Sequence, residues 1–140
     1  MRDLMNNIDV KRAISPVSVA DNTAQVSQII DRRGFDSLTF VIALGSLVDA
    51  DATFTVLVEH DDAAGFGTAT AVPASELVGT TTLASFQFDD DHKCRKIGYV
   101  GNKRYVRMTI TPANNSSSAL IAAVAILSHA AQQPLSNPPA

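Results

Sequence analysis

The sequence predicts an all-β domain, an antiparallel β-sandwich or barrel of about eight strands. Three observations carry this. Apolar residues recur mostly with a period of two, turn-forming clusters punctuate the chain about every 8 to 16 residues, and Val, Ile and Thr are frequent. The composition is globular, 46% hydrophobic and 18% charged. At 140 residues the chain suits one domain that buries a core without disulfides.

The first strand is expected near Val10 to Ile14 and the second near Thr23 to Ile30. NTAQVSQIIDRRG also permits a helix, since Val26, Ile29 and Ile30 have helical spacing, Asn22 is a cap and Gly34 a stop. The strand is preferred because DRRGFDS reads as a tight connection into SLTFVIAL. That segment, Ser37 to Leu44, is apolar on both faces, as a strand in the middle of a sandwich would be. In FTVLV, Phe54, Val56 and Val58 share one face; in YVRMTIT, Val106, Met108 and Ile110 oppose Tyr105, Arg107, Thr109 and Thr111. Further strands are expected at Ala84 to Phe88 and Cys94 to Val100. The alanines of ALIAAVAILSHAA would support a helix, but PANNSSS before it reads as a hairpin-like connection, so it is taken as the last strand. The long connection from His60 to Thr82 has one short helical turn at PASEL, and the three prolines of AQQPLSNPPA predict an extended tail lying along a partner.

Charge is segregated along the chain. Gly34 to His92 holds ten of the 14 acids and no Lys or Arg, whereas His92 to Ala140 holds six of the 11 basic residues and no acid. Antiparallel succession of the strands would cluster GSLVDAD, DDDH and PANNSSS at one acidic end, and DRRGFD, HDDAAGFG and GNKR at the other, mixed end. Such polarity favours oriented docking over catalysis. The net charge of −3 has the wrong sign for general phosphate attraction.

Most chemical classes find no pattern here. One cysteine excludes an intrachain disulfide and suits a reducing compartment. With one Cys and three His there is no zinc spacing, and no G-x-S-x-G elbow, P-loop or dinucleotide fingerprint occurs. In FQFDDDHKCRK, His92 and Cys94 share a face without a third orienting group, so Cys94 is read as a core or flanking residue. Calcium held by DDD with Asp49 and Asp51 is weighed against a solvated connection, and the connection is preferred. KIGYVGNKRYVR resembles a basic, aromatic strip for single strands, but it is read instead as a hairpin whose arginines meet acidic loops of a neighbouring protein. MRDLMNNIDVKRAISP lacks the apolar run of a secretory signal, and ALIAAVAIL is far short of the ~20 residues of a membrane helix.

The phrases IDVKRAISPVSVADNTAQVSQIIDRRGFDSLTFVIALGSLVDADATFTVLVEHDD, LVGTTTLASFQF and KIGYVGNKRYVRMTITPANN, with the apolar last strand, resemble the capsid cement (head decoration) proteins of tailed bacteriophages. The resemblance spans Ile8 to His129 and rests on a succession of strand phrases, with no catalytic motif. It implies a jelly-roll-like sandwich with extended termini, seated as a homodimer on the outer surface of the head and bridging major capsid protein subunits. It implies a structural protein of the virion, made in the bacterial host cytoplasm, with no enzyme activity, cofactor, metal, nucleic acid or membrane partner. Residues 1–13 are then a partner-binding arm, 14–130 the sandwich and 131–140 the tail. Leu4, Met5 and Ile8 would anchor the arm, with Arg2, Lys11 and Arg12 setting its electrostatic register. The alternative is a virion-surface jelly roll binding a host glycan or receptor, which should display exposed aromatics; these are 6% of the chain and sit mostly in strand phrases.

Overall fold

The computed structural model describes residues 2–138. Eleven strands form two antiparallel sheets: β1 (Ile8–Val19), β2 (Gln25–Val26), β3 (Ile30–Asp31), β4 (Phe35–Leu47), β5 (Thr53–Asp61), β6 (Thr70–Ala71), β7 (Leu77–Val78), β8 (Phe86–Gln87), β9 (Cys94–Tyr99), β10 (Tyr105–Ala113) and β11 (Ala119–Ala130). One sheet runs β1-β11-β4-β9-β7, and the other runs β2-β10-β5-β6, with β3 also on β10 and β8 also on β5. We call them the β11 sheet and the β10 sheet. If β2 and β3 are counted as one interrupted strand, β6 and β8 as another, and β7 is set aside, eight positions remain. Their order, first-eighth-third-sixth over second-seventh-fourth-fifth, is that of a jelly roll.

The core lies between the sheets and is built by alternation. Leu38, Phe40 and Ile42 of β4, Ile97 and Tyr99 of β9, and Ile121, Ala123, Ala125 and Leu127 of β11 are buried. So are Phe54, Val56 and Val58 of β5 and Val106, Met108 and Ile110 of β10. Phe54 stacks on Phe86 with centroids 4.7 Å apart. The alanine-rich last segment is a strand because its odd-numbered residues fill this core while β1 and β4 satisfy its backbone on both sides. Tertiary pairing overrides helix propensity here.

Several expectations are corrected. β1 begins at Ile8, so residues 8–13 belong to the sandwich ladder rather than to an arm. The second strand is broken into β2 and β3, because between them Gln28 N donates to Ala13 O on β1, where that strand bulges. Residues around Ala84 form α1 (Thr81–Ala84), capped by the Thr80 hydroxyl, and only Phe86–Gln87 pair as a strand. PANNSSS is not a hairpin, since β10 and β11 belong to different sheets, and β9 and β10 make no hairpin for the same reason. Nor does the tail run away from the domain. Ala131 N donates to Gly34 O and Leu135 N to Asn6 O, which folds it back over the chain's own N-terminal turn.

Candidate docking face

The two sheets differ in what they turn outward. On the β10 sheet, outward positions are Thr53, Thr55, Leu57 and Glu59 of β5, Tyr105, Arg107, Thr109 and Thr111 of β10, and Val26 of β2, opposite Thr109. Arg107 lies opposite Glu59 and pairs with it at 2.9 Å, the Arg104 guanidinium lies over the Tyr105 ring, and the large apolar side chains left are Leu57 and, at the β2 edge, Val26. Its β5–β10 centre is predominantly polar, as suits a face turned to water.

The β11 sheet is different. Its register sets outward residues in rows across the strands: Val10, Ile126, Thr39, Gly98 and Val78; then Arg12, Val124, Val41 and Lys96; then Ala122, Ala43 and Cys94. Leu120 continues this surface and is 44% exposed. The rows contain no carboxylate, and their charges are Arg12 and Lys96. Lys96 has no hydrogen-bond or salt-bridge partner among the described residues, and Arg12 donates to Ser15 Oγ at 2.9 Å. Two depressions flank the Val124–Val41 centre. One, of about 390 Å³, lies between Pro16, Gly45 and Leu120. The other, of about 590 Å³, has Thr39, Lys96 and Gly98 in its lining, with Val78, Leu83 and Val100 around them. Leu83 is 73% exposed there. Gly98 lets Val78 of β7 pack close over β9, for a Cβ at that position would come within 3.1 Å of Val78 Cβ.

The sheet edges are poor docking sites by comparison. β1 carries two irregularities, the second around Pro16, which has no N–H to donate, and the other edge strands are two residues long. Bulges, proline and brevity all oppose strand addition.

Both expected loop clusters form. At one end His92 N donates to Gly45 O, Val48 N to Ser118 O, and Ser116 N to Asp49 Oδ2 at 2.7 Å, while Leu47 N donates to Asp91. The Ser116 N–H and a hydrogen bond from Asp51 hold the Asp49 carboxyl down at about 2, and the same hydrogen bond with Asp49 pushes the Asp51 carboxyl up. Asp90 accepts from Gln87 N, Lys93 and Arg95. These carboxylates staple loops, and among the described residues no three His, Cys, Asp or Glu side chains stand close enough to hold a metal ion. Cys94 opens β9 and is exposed, which makes it a flanking and not a core residue.

At the other end Arg32 donates to the carbonyls of Lys103 and Gly101, Lys103 pairs with Asp62, and Arg104 forks onto Asp31. Arg104, helped by Lys11, holds Asp31 below the usual carboxylate range. The arginines of the basic strip thus meet acids of their own chain, contrary to the expected neighbouring protein. Tyr99 is buried as well: its hydroxyl bonds His60 Nδ1 at 2.8 Å and accepts from Lys103 N, and burial pushes its pKa up. A stack-and-neutralise strip is not presented.

The six residues proposed for partner binding are split by the structure. Leu4 and Met5 are each 62% exposed at the turn Met5–Asn7, next to exposed Arg2. Ile8 and Arg12 alternate with Val10 on the outward side of β1, whereas Lys11 faces the other way, opposite Ala125. The sequence reading missed Val41, Val124 and Leu120. Their signal is in ALIAAVAIL, whose outward side, Leu120, Ala122, Val124 and Ile126, is wholly apolar, and in the Val41 and Ala43 of SLTFVIAL that lie beside it.

No protein-family model matches the chain, and no curated protein does. Among solved structures, a pilus of Bacillus endospore appendages is 13% identical, covers 91% of this chain and 96% of its own, and has a TM-score of 0.45. The C-terminal family 22 carbohydrate-binding module of Clostridium thermocellum Xyn10B is 8% identical over 94% and 92%, with a TM-score of 0.42. The N-terminal part of the same xylanase, with its first such module, is 10% identical over 94% of this chain and 28% of that one, at 0.46. Likenesses at this level say nothing of ligand or partner.

Proposed function

We propose that this chain is a capsid cement protein. It is a structural, non-enzymatic sandwich that binds the outer surface of a tailed-phage head as a homodimer and clamps adjacent major capsid protein subunits. It is made in the bacterial host cytoplasm and stays on the virion. The observation that supports this best is the contrast between the centres of its faces: Val124, Val41, Ile126 and Leu120 on the β11 sheet against the Thr-rich, ion-paired β5–β10 centre of the other, where Leu57 and the edge residue Val26 are the apolar exceptions. The resemblance of the strand phrases supplies the phage head as the partner. Repetition around a particle lets a modest contact per copy stabilise the whole shell.

The N-terminal turn supplies a second contact in this reading. Leu4 and Met5 are the anchors, with Arg2 beside them. The test is cosedimentation of the purified chain with heads of the phage or prophage that encodes it, followed by thermal rupture of those heads. The protein should move into the particle fraction and raise the rupture temperature. A chain that stays in the supernatant, or binds and leaves rupture unchanged, refutes the cement reading. Removing Met1 to Asn7, which spares the β1 ladder, should lower occupancy; undiminished binding removes the arm from the mechanism.

A further inference from the structure

Resting on that reading, we propose that the outward face of the β11 sheet is the capsid-contacting surface, and that its partner is an apolar protein patch bearing carboxylates. The carboxylates meet Lys96 and Arg12, and an apolar side chain of the partner enters the cleft beside Val78, Leu83 and Gly98.

The charge of the face decides between the two occupants a cement protein offers, a second copy and a capsid subunit. Its central row runs Arg12, Val124, Val41, Lys96, with a cation at each end. A two-fold axis through the middle of that row brings cation to cation, whether it runs along the strands or across them. Like charges buried against each other oppose such a contact. A surface with carboxylates instead satisfies Lys96, which the fold leaves without an acid among the described residues. The cleft adds shape: its apolar rim is strongly exposed at Leu83 and Val78, which gives an apolar side chain from outside a place to lie. The blunted edges leave the face as the broad surface through which the sandwich can be gripped.

The experiment compares Val124→Asp, Leu83→Asp and Lys96→Glu with Leu57→Asp, a control on the opposite sheet, all as full chains with unchanged circular dichroism. Leu83 is exposed enough that its substitution spares the fold even if Val124→Asp does not. Head occupancy should fall at least about tenfold for Val124→Asp and Leu83→Asp and several-fold for Lys96→Glu, with Leu57→Asp unchanged. Wild-type binding should weaken as salt rises. Wild-type occupancy in the face variants overturns the assignment while leaving the cement reading intact. Failure of the wild-type chain to bind heads overturns the cement reading and this assignment with it. If sedimentation velocity instead shows the face variants turning a dimer into a monomer, the occupant is a second copy and the proposal is wrong.

Discussion

Gly101→Ala is a one-methyl change whose cost the structure specifies. Gly101 needs no left-handed backbone, so the penalty is one of space alone. A Cβ there would lie 2.5 Å from the Tyr99 hydroxyl oxygen and 2.6 Å from Cζ, and closer still to Glu76 Oε2. The glutamate can swing, but the Tyr99 ring is 1% exposed and held by hydrogen bonds to His60 and from Lys103 N. Moving it by about an ångström sacrifices both bonds, at ~1 kcal/mol each, and adds ~1–2 kcal/mol of overpacking. The sum is about 3–4 kcal/mol. For a chain of this length, with unfolding entropy near 2 cal/mol/K per residue, that is about 11–14 °C in Tm. Urea unfolding followed by circular dichroism measures it. A double-mutant cycle with Tyr99→Phe, which removes the obstructing hydroxyl, should show the alanine costing at least ~1 kcal/mol less in the phenylalanine background. A Gly101→Ala protein within ~0.5 kcal/mol of wild type, or strict additivity in the cycle, refutes the reasoning.

Met108→Ala opens a cavity at a fully buried position of β10 and should cost about 3 kcal/mol in the same assay. Asp90→Asn removes the charge that meets Arg95 at 2.7 Å and Lys93 at 3.0 Å, and about 2 kcal/mol of stability should go with it at pH 7. The acid limb of the stability profile follows from the same group. Burial pushes the Asp90 carboxyl up, but Lys93, the Gln87 N–H and Arg95 outweigh it and hold it below 3.8. A depressed folded pKa gives stability that is complete above 3.8 and is lost as pH falls through the folded value. Tm measured from pH 5 to pH 2 should therefore drop less steeply in Asp90→Asn than in wild type; an identical slope removes Asp90 from the acid response.

The long strands were legible because their alternation is strict and one-sided. Val106, Met108 and Ile110 are buried while Arg107, Thr109 and Thr111 are not, just as their spacing requires. What the local pattern cannot carry is which sheet a strand joins. PANNSSS has hairpin chemistry, yet its flanking strands separate because β11 finds two long apolar partners in β1 and β4. The same non-local choice splits β2 from β3, where Gln28 turns to β1. The arm was overextended for a related reason: DVKRA looks polar and terminal, but Val10 and Arg12 alternate with Asp9 and Lys11 as an edge strand does. The docking face was half legible. SLTFVIAL is the central strand its apolarity predicts, with Leu38, Phe40, Ile42 and Leu44 in the core, but its other side, Ser37, Thr39, Val41 and Ala43, is half polar and turns outward instead of into a second buried layer.

The charge segregation has a structural cause, and that cause isolates Lys96. β5 belongs to the acid-rich stretch and β10 to the acid-free one, and they are paired along their whole length. Glu59 therefore meets Arg107 across the ladder, and Asp62, just past the end of β5, meets Lys103 just before β10. Asp90 holds Lys93 and Arg95 across the FQFDDDHKCRK connection, and Arg104 returns to Asp31 beside β3. The asymmetry expected to orient the molecule on a partner is thus largely consumed in closing its own sandwich. Five of the six cations after His92 are neutralised this way, each by an acid earlier in the chain. Lys96 is the sixth. Its strand neighbour across the ladder is Val41, and among the described residues the rows of its face carry no acid. A lysine placed so, at the end of an apolar row and above an open cleft, is where the fold's own electrostatics stop and a carboxylate from another protein has a place to bind.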